Sequence, residues 1–399
     1  MFIVCNRFVE ELSKLALEVS SIYNWRKLDI VLHVATENLK HVANLLRTKG
    51  AFAWWYVDLV DDDGRGLVLV GSFGLPFLPG SRGCPRPVDR PSLALALYDQ
   101  DRSVFYALQT FEPEEASLCP AGQMTFGRSR MGLALGSKTV TLEVELDLDV
   151  PGGGRLTGTV SASGPRCLTP DPTVGNVASG AHRWAPILVA QRGRASLSTS
   201  DGETFDVDGR IYVDSNASRE PLHDLGIADW RWGRVAFPDR ELIYYVVEPV
   251  DSQSASIRHV IEAWPDGRLV AHDARPRWRA PRRSIYGLGY HRGLELTSSQ
   301  GLDVELTMRA LVDDGPFYLR FLVDASDGAT GATGRGFAER VVPDEVDRPW
   351  QRPFVRMRTH RTSGDNSMWL PLFTGPRRGR LERLLKHWRS APGVVGATP

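Results

Sequence analysis

The chain has 399 residues, more than one hydrophobic core ordinarily serves, so two domains are expected. Hydrophobic residues make up 42% and charged residues 24%, a globular composition that excludes a disordered or fibrous chain. Lys+Arg and Asp+Glu are both 48, so no net field draws the protein onto nucleic acid, and the 4 cysteines form no CxxC pair, which argues for reduced thiols in a cytoplasm over a zinc knuckle or disulfide framework.

Residues 1 to 46 read as a helical extension, with Phe8, Leu12, Leu15, Ala16 and Val19 on one face and a second apolar series through Leu39, Val42 and Leu46. Arg7, Glu10, Glu11 and Lys14 interrupt what would be the apolar stretch of a signal peptide, so export by that route is not expected. No run of about 18 apolar residues occurs, so no membrane-spanning helix is expected either.

From Ala51 the texture changes to short apolar or alternating runs separated by turn residues. AFAWWYVDLV, DDDGRG and LVLVGSFGLPFL read as strand, turn and strand, and a Pro/Gly-rich loop follows from Pro79 to Pro91. LALALYD, SVFYALQTF, KTVTLEVELDLDV and RLTGTVSAS continue the pattern; Val140, Leu142, Val144, Leu146 and Leu148 alternate with Glu143, Glu145 and Asp147 in a clean period of two. Beyond a loop from Gly164 to Gly180 come ILVAQ, RASLS, ELIYYVVEP, HVIEAW, GLELTSS, DVELTMRAL and FYLRFLVDA. Many short strands and few helices predict a mainly β chain of barrels or sandwiches.

Two carboxy-terminal stretches differ. The glycine-rich run at residues 327 to 336 is followed by no GKS or GKT and reads as a long hairpin loop. PRRGRLERLLKHWRS places Leu381, Leu384, Leu385 and Trp388 on one face of a basic amphipathic helix, suited either to docking on a barrel or to lying on a membrane surface.

Five of the 11 tryptophans fall in three clusters: Trp54-Trp55-Tyr56 with Asp58, His182-Arg183-Trp184, and Tyr212 to Asn216 leading to Asp229-Trp230-Arg231-Trp232. On strands, His182 and Trp184 share a face, as do Tyr212 and Asp214, and Trp230 and Trp232. A pocket of indoles and phenols with one carboxyl suits an apolar ligand, and its π faces attract positive charge. Core packing explains each aromatic taken alone equally well, and spacing alone favours a turn for Asp214-Ser215-Asn216 and allows a surface role for His182. The histidines show no HxH or HExxH spacing, which points to a metal-free mechanism, and there is no GxSxG elbow.

Three stretches, AFAWWYVD, AHRWAPI and IYVDSNASREPLHDLGIADWRWGR, resemble the acyclic carotenoid 1,2-hydratase (hydroxyneurosporene synthase) family, from about Gly50 to about Trp264. The resemblance implies two lipocalin-like β-barrels. The corresponding domains are an extension over 1–46, a first barrel over 47–220, a second over 221–375 and a basic tail over 376–399. It also implies that His182, Trp184, Tyr212 and Asp214 carry the hydration. The chain departs from the family pattern at Ala217 and Ser218, where a glycine is usual, and at Arg231, where a histidine often stands between two tryptophans.

The implied reaction is addition of water across the terminal C1=C2 double bond of an acyclic carotenoid, without a cofactor. Asp214 is the expected acid. His182 or Tyr212 tunes it or positions the water, and Trp184 stabilises the cation, with Trp54, Trp55, Tyr56, Trp230 and Trp232 lining the substrate site. A polyene cyclase or pericyclase on the same scaffold, or a non-catalytic carrier of an apolar ligand, is the alternative. The expected location is the cytoplasm. Peripheral contact with the inner membrane and with other carotenoid-pathway enzymes stays open.

Overall fold

In the computed structural model of the protein, which describes residues 44–119, 122–136, 138–166, 176–177 and 182–390, most regular elements are β-strands and the helices are short. The helical reading of residues 1 to 46 falls, up to residue 43, outside the described residues.

The first sheet contains β1 (Phe52–Val60), β2 (Gly66–Phe73), β3 (Pro91–Asp99), β4 (Arg102–Thr110), β5 (Ala116–Leu118), β6 (Gln123–Phe126), β7 (Ser129–Leu135), β8 (Thr139–Asp149), β9 (Arg155–Pro165), β10 (Asn176–Val177), β11 (His182–Thr199) and β12 (Thr204–Ser218). Its order is β4-β3-β2-β1-β12-β11-β9-β8-β7-β6-β5, with β10 beside β11 and two short strands from the C-terminal region, His360–Arg361 and Gly375–Pro376, paired with β4. The second sheet contains β13 (Ile227–Ala236), β14 (Glu241–Pro249), β15 (Ile257–Ala263), β16 (Leu269–His272), β17 (Ala274–Arg283), β18 (Gly289–Ser298), β19 (Asp303–Asp314), β20 (Tyr318–Asp327) and β21 (Thr333–Val341), ordered β16-β15-β14-β13-β21-β20-β19-β18-β17.

Strands β1 and β2 read as continuous apolar runs because both of their faces are buried. Phe52, Trp54, Tyr56 and Val68 face the second sheet, where they share a core with Trp230, Trp232, Tyr245 and Phe337. Val57, Leu59, Leu67 and Leu69 alternate with them and are equally buried on the other face. There the first sheet curls on itself: Phe73 of β2 meets Phe126 of β6 at 5.5 Å between ring centroids. Gly71 permits that approach, since a Cβ there would lie 2.9 Å from the Phe126 ring. The alternation of β8 is of the half-buried kind, with Val140 to Leu148 inward and the carboxylates out. On its outer face the second sheet builds a separate core from Val235, Leu242, Tyr244, Leu294, Leu306 and Phe321.

The two sheets are tied by a buried ion cluster. Arg234 of β13 is fully buried; its Nε donates to Asp58 Oδ1 of β1 at 2.7 Å and its Nη1 to Glu241 Oε1 of β14 at 2.6 Å. Asp58, which the sequence groups with the cavity aromatics, is thus engaged in holding the sheets together. Glu241 also accepts the backbone N–H of Ala190 at 2.6 Å. Ala190 sits at φ 54 in the bulge where the β11–β12 register shifts between Leu188 and Gln191.

The glycine-rich run is a tighter hairpin than its composition suggests, because residues 333–336 already belong to β21. The C-terminal helix, Arg380–Ser390, divides its leucines: Leu384 is buried while Leu381 and Leu385 are exposed.

Candidate active site

One wall of the site comes from three neighbouring strands. Tyr212, Asp214 and Asn216 fall on the same face of β12 because successive side chains alternate. The register sets them opposite Asp58, Tyr56 and Trp54 of β1, and sets Asn216 opposite Trp184 of β11. Asp214-Ser215-Asn216 is therefore strand, not the turn that spacing favours: the polar side chains bond to one another and across strands instead of to the local backbone. The opposite wall is a cross-strand row of Arg320, Glu339, Trp232 and Tyr245, with Tyr318, Val341 and Trp230 in the next row. Between the walls lies a cavity whose lining is mostly apolar and aromatic.

The Asp214 carboxyl is the hub. Its Oδ2 accepts Trp184 Nε1–H and the Tyr212 hydroxyl, each at 2.9 Å, and its Oδ1 accepts Asn216 Nδ2–H at 3.0 Å. With its amide nitrogen so engaged, Asn216 turns Oδ1 to His182 Nε2 at 3.1 Å, which requires the proton of the neutral imidazole to sit on Nε2. Tyr245 Oη lies 3.3 Å from the same nitrogen. His182 is fully buried, edge-on to the Trp230 ring at 4.9 Å, and is no surface histidine.

Burial dominates the electrostatics. It pushes the Asp214 carboxyl up to about 8, against the lowering effect of the Trp184 and Tyr212 hydrogen bonds. It pushes His182 down to about 4, against its bond to Asn216, and holds the Tyr212 phenol well above its ordinary value. At neutral pH the site thus contains a protonated carboxylic acid beside a neutral imidazole, surrounded by π faces. Trp184 stacks on Tyr245 at 4.7 Å, Tyr56 meets Trp232 edge-on at 5.0 Å, and Trp54 lies 6.0 Å from Trp230.

Trp184, Asp214, Trp54, Tyr56, Trp230 and Trp232 all line the cavity, and His182 and Tyr212 lie directly behind it through their hydrogen bonds. Trp55 is the exception. It alternates with Trp54 and Tyr56, so it points to the opposite face of β1 and lines no part of the cavity. Arg231 likewise alternates with Trp230 and Trp232; it bonds to Asp229 at 2.9 Å and lies 4.2 Å over Trp278, so the departure from the family pattern there falls on the face away from the cavity.

Sequence reading passed over Asn216 as a site residue, although it continues the i, i+2, i+4 series of Tyr212 and Asp214. It gave no signal for Tyr245, Arg320 or Glu339, which come from ordinary strand runs of the second sheet. Among the described residues, no three His, Cys, Asp or Glu side chains come together as a metal-binding group.

A family model described as carotenoid hydratase CrtC matches residues 67–367. The acyclic carotenoid 1,2-hydratase of Thiocapsa roseopersicina is 27% identical over 326 residues, covering 79% of this chain and 75% of that protein. That of Rubrivivax gelatinosus is 27% identical over 325 residues, covering 76% and 73%. Among solved structures, CghA with Sch210972 superposes with a TM-score of 0.54 at 13% identity, over 74% of this chain and 88% of that one. A structure described as AttH from Nitrosomonas europaea gives 0.53 at 15% identity, over 73% and 92%. At such identities these two bear on the fold alone.

Proposed function

This chain belongs to the carotenoid hydratase family, and we propose that its cavity adds water across the terminal C1=C2 double bond of an acyclic carotenoid of the neurosporene or lycopene type. It is a hydro-lyase with a carotenoid substrate. The product is a 1-hydroxy-1,2-dihydro carotenoid.

The observation that carries the mechanism is a carboxyl kept dry among aromatics, with burial raising Asp214 to about 8. Oδ2 already accepts two donors and Oδ1 one, so the acid proton resides on Oδ1. Its transfer to C2 uses the π pair of the double bond and leaves a tertiary cation at C1. The faces of Trp54, Tyr56, Trp230 and Trp232 stabilise that charge, each ring by about 0.5–2 kcal/mol in a desolvated site. Trp184 and Tyr212 hold the conjugate carboxylate as it forms, and neutral His182 fixes the orientation of Asn216. General acid catalysis contributes about 10²–10⁴-fold, so exclusion of bulk water and cation stabilisation supply the remainder.

The reading extends to peripheral membrane contact, because a carotenoid must leave a bilayer to enter the cavity. Phe354, which lines the cavity, is itself 36% exposed, and its ring meets Tyr286 at 5.5 Å and Trp350 at 6.3 Å. Ile285 beside Tyr286 is 83% exposed and Trp350 is 51% exposed. Arg282, Arg283, Arg348 and Arg356 are exposed close by in the chain, so the patch presents apolar anchors with cations suited to anionic headgroups. Leu381 and Leu385 of the C-terminal helix offer a second exposed apolar face. Among the described residues no helix is long and apolar enough to cross a membrane.

The test is the mass of the pigment recovered after incubation of the protein with neurosporene or lycopene in liposomes. Gain of one water supports the reading; a changed chromatographic position at unchanged mass replaces it with cyclisation.

A further inference from the structure

The cavity holds a second polar centre opposite Asp214. Glu339 of β21 stands across from Trp232 of β13 on one side and from Arg320 of β20 on the other, so all three side chains face the cavity they line. Arg320 Nε donates to Glu339 Oε1 at 2.9 Å and Arg320 Nη1 to the Tyr98 hydroxyl at 2.9 Å, which fixes the guanidinium from two sides. Around this pair are two buried polar atoms without a partner among the described residues, the hydroxyl of Tyr318 and the indole N–H of Trp232, while the Tyr56 hydroxyl is directed toward Asp58. Tyr56 is opposite Asp214 in the β1–β12 register and its ring lies 5.0 Å from that of Trp232, so these two rings connect the Asp214 wall to the Glu339 wall. A buried polar atom left unpaired is destabilising, and water is its usual partner where the site is roomy and polar.

We propose that this is a water-activating site, in which Glu339, held by Arg320, is the base that takes the proton from the attacking water while the Tyr318 hydroxyl and the Trp232 N–H orient that water. The proposal rests on the hydratase reading. Asp214 gives its proton to C2 and the π electrons of C1=C2 form the new C–H bond. A lone pair of the water oxygen then forms the C1–O bond, and the proton released from that oxygen passes to the Glu339 carboxylate. One proton leaves Asp214 and one arrives at Glu339; exchange with solvent restores both groups. The division of labour suits two walls: an acid on one and a base on the other leave room for the polyene end group between them. Glu339 also adds, after burial, to the forces that keep Asp214 protonated, so the base supports the acid before either reacts.

The experiment uses the full chain in D2O with lycopene in liposomes, and follows the hydrated product and deuterium in the recovered pigment. In Glu339→Gln, protonation by Asp214 survives while capture of the cation fails. Hydration is expected to fall about 10²–10⁴-fold, and the unhydrated pigment should gain deuterium at its end group as the cation returns to alkene. Asp214→Asn should show neither hydration nor exchange. The paired variant Glu339→Gln/Arg320→Gln removes both charges together and serves the same readout if the single change does not fold. Hydration at the wild-type rate in a folded variant, or loss of exchange together with hydration, overturns the assignment of Glu339. Absence of hydrated product from the wild type would instead overturn the hydratase reading.

Discussion

The indole N–H of Trp184 donates to Asp214 Oδ2 at 2.9 Å from the adjacent strand, so the ring that lines the cavity also stabilises the conjugate base of its acid. Trp184→Phe keeps most of the apolar surface and removes that donor. With one stabilising bond fewer, the carboxyl rises further above about 8. The alkaline limb of the rate profile should therefore move to higher pH while the rate below it falls, and a pH series of initial rates for the two proteins checks this.

The wild-type profile follows from the two shifted groups. Asp214 acts as the acid only while protonated, so activity should decline as pH rises through about 8. His182 is buried with no counter-charge against it among the described residues, so its protonation places an unfavourable charge behind the cavity and a second decline is expected as pH falls through about 4. Stability has matching signs. The raised Asp214 contributes stability in full below its unfolded value of 3.8 and loses it as pH rises through about 8. Asp214→Asn removes that loss, so thermal unfolding should show the variant gaining on the wild type as pH rises from about 4 to about 8, with no further gain above it.

Much of this was legible in the residues themselves. The period of two in β8 and the strand-turn punctuation after Ala51 gave the β architecture, and the alternation of Tyr212, Asp214 and Asn216 put them on one face. Trp55 shows the limit of a cluster argument: three consecutive aromatics on a strand cannot share a wall, and only the register decides which two do. Glu339 and Arg320 were illegible for a different reason. They reach the site through strand pairing across the second sheet, about 100 residues beyond the motif, and neither carries a local signature.

The clamp between the sheets sets the stability of the cavity. Arg234→Met leaves Asp58 and Glu241 buried without their counter-ion. Breaking a buried pair in this way costs about 3–5 kcal/mol. Denaturant unfolding should show a loss of that size, larger than for Arg192→Met, whose partner Asp208 is exposed.

Membrane contact is separable into its two candidate faces. Ile285→Asp with Trp350→Asp should reduce co-sedimentation with anionic vesicles and slow delivery of liposomal carotenoid, while a detergent-solubilised pigment is turned over as before. Leu381→Glu with Leu385→Glu tests the C-terminal helix by the same assay.

The most direct measurement is incubation with neurosporene or lycopene in H2¹⁸O, with mass analysis of the pigment from wild type and Asp214→Asn. The account predicts one labelled oxygen in the wild-type product and none in the variant. An Asp214→Asn protein that still incorporates the label at the wild-type rate would contradict it.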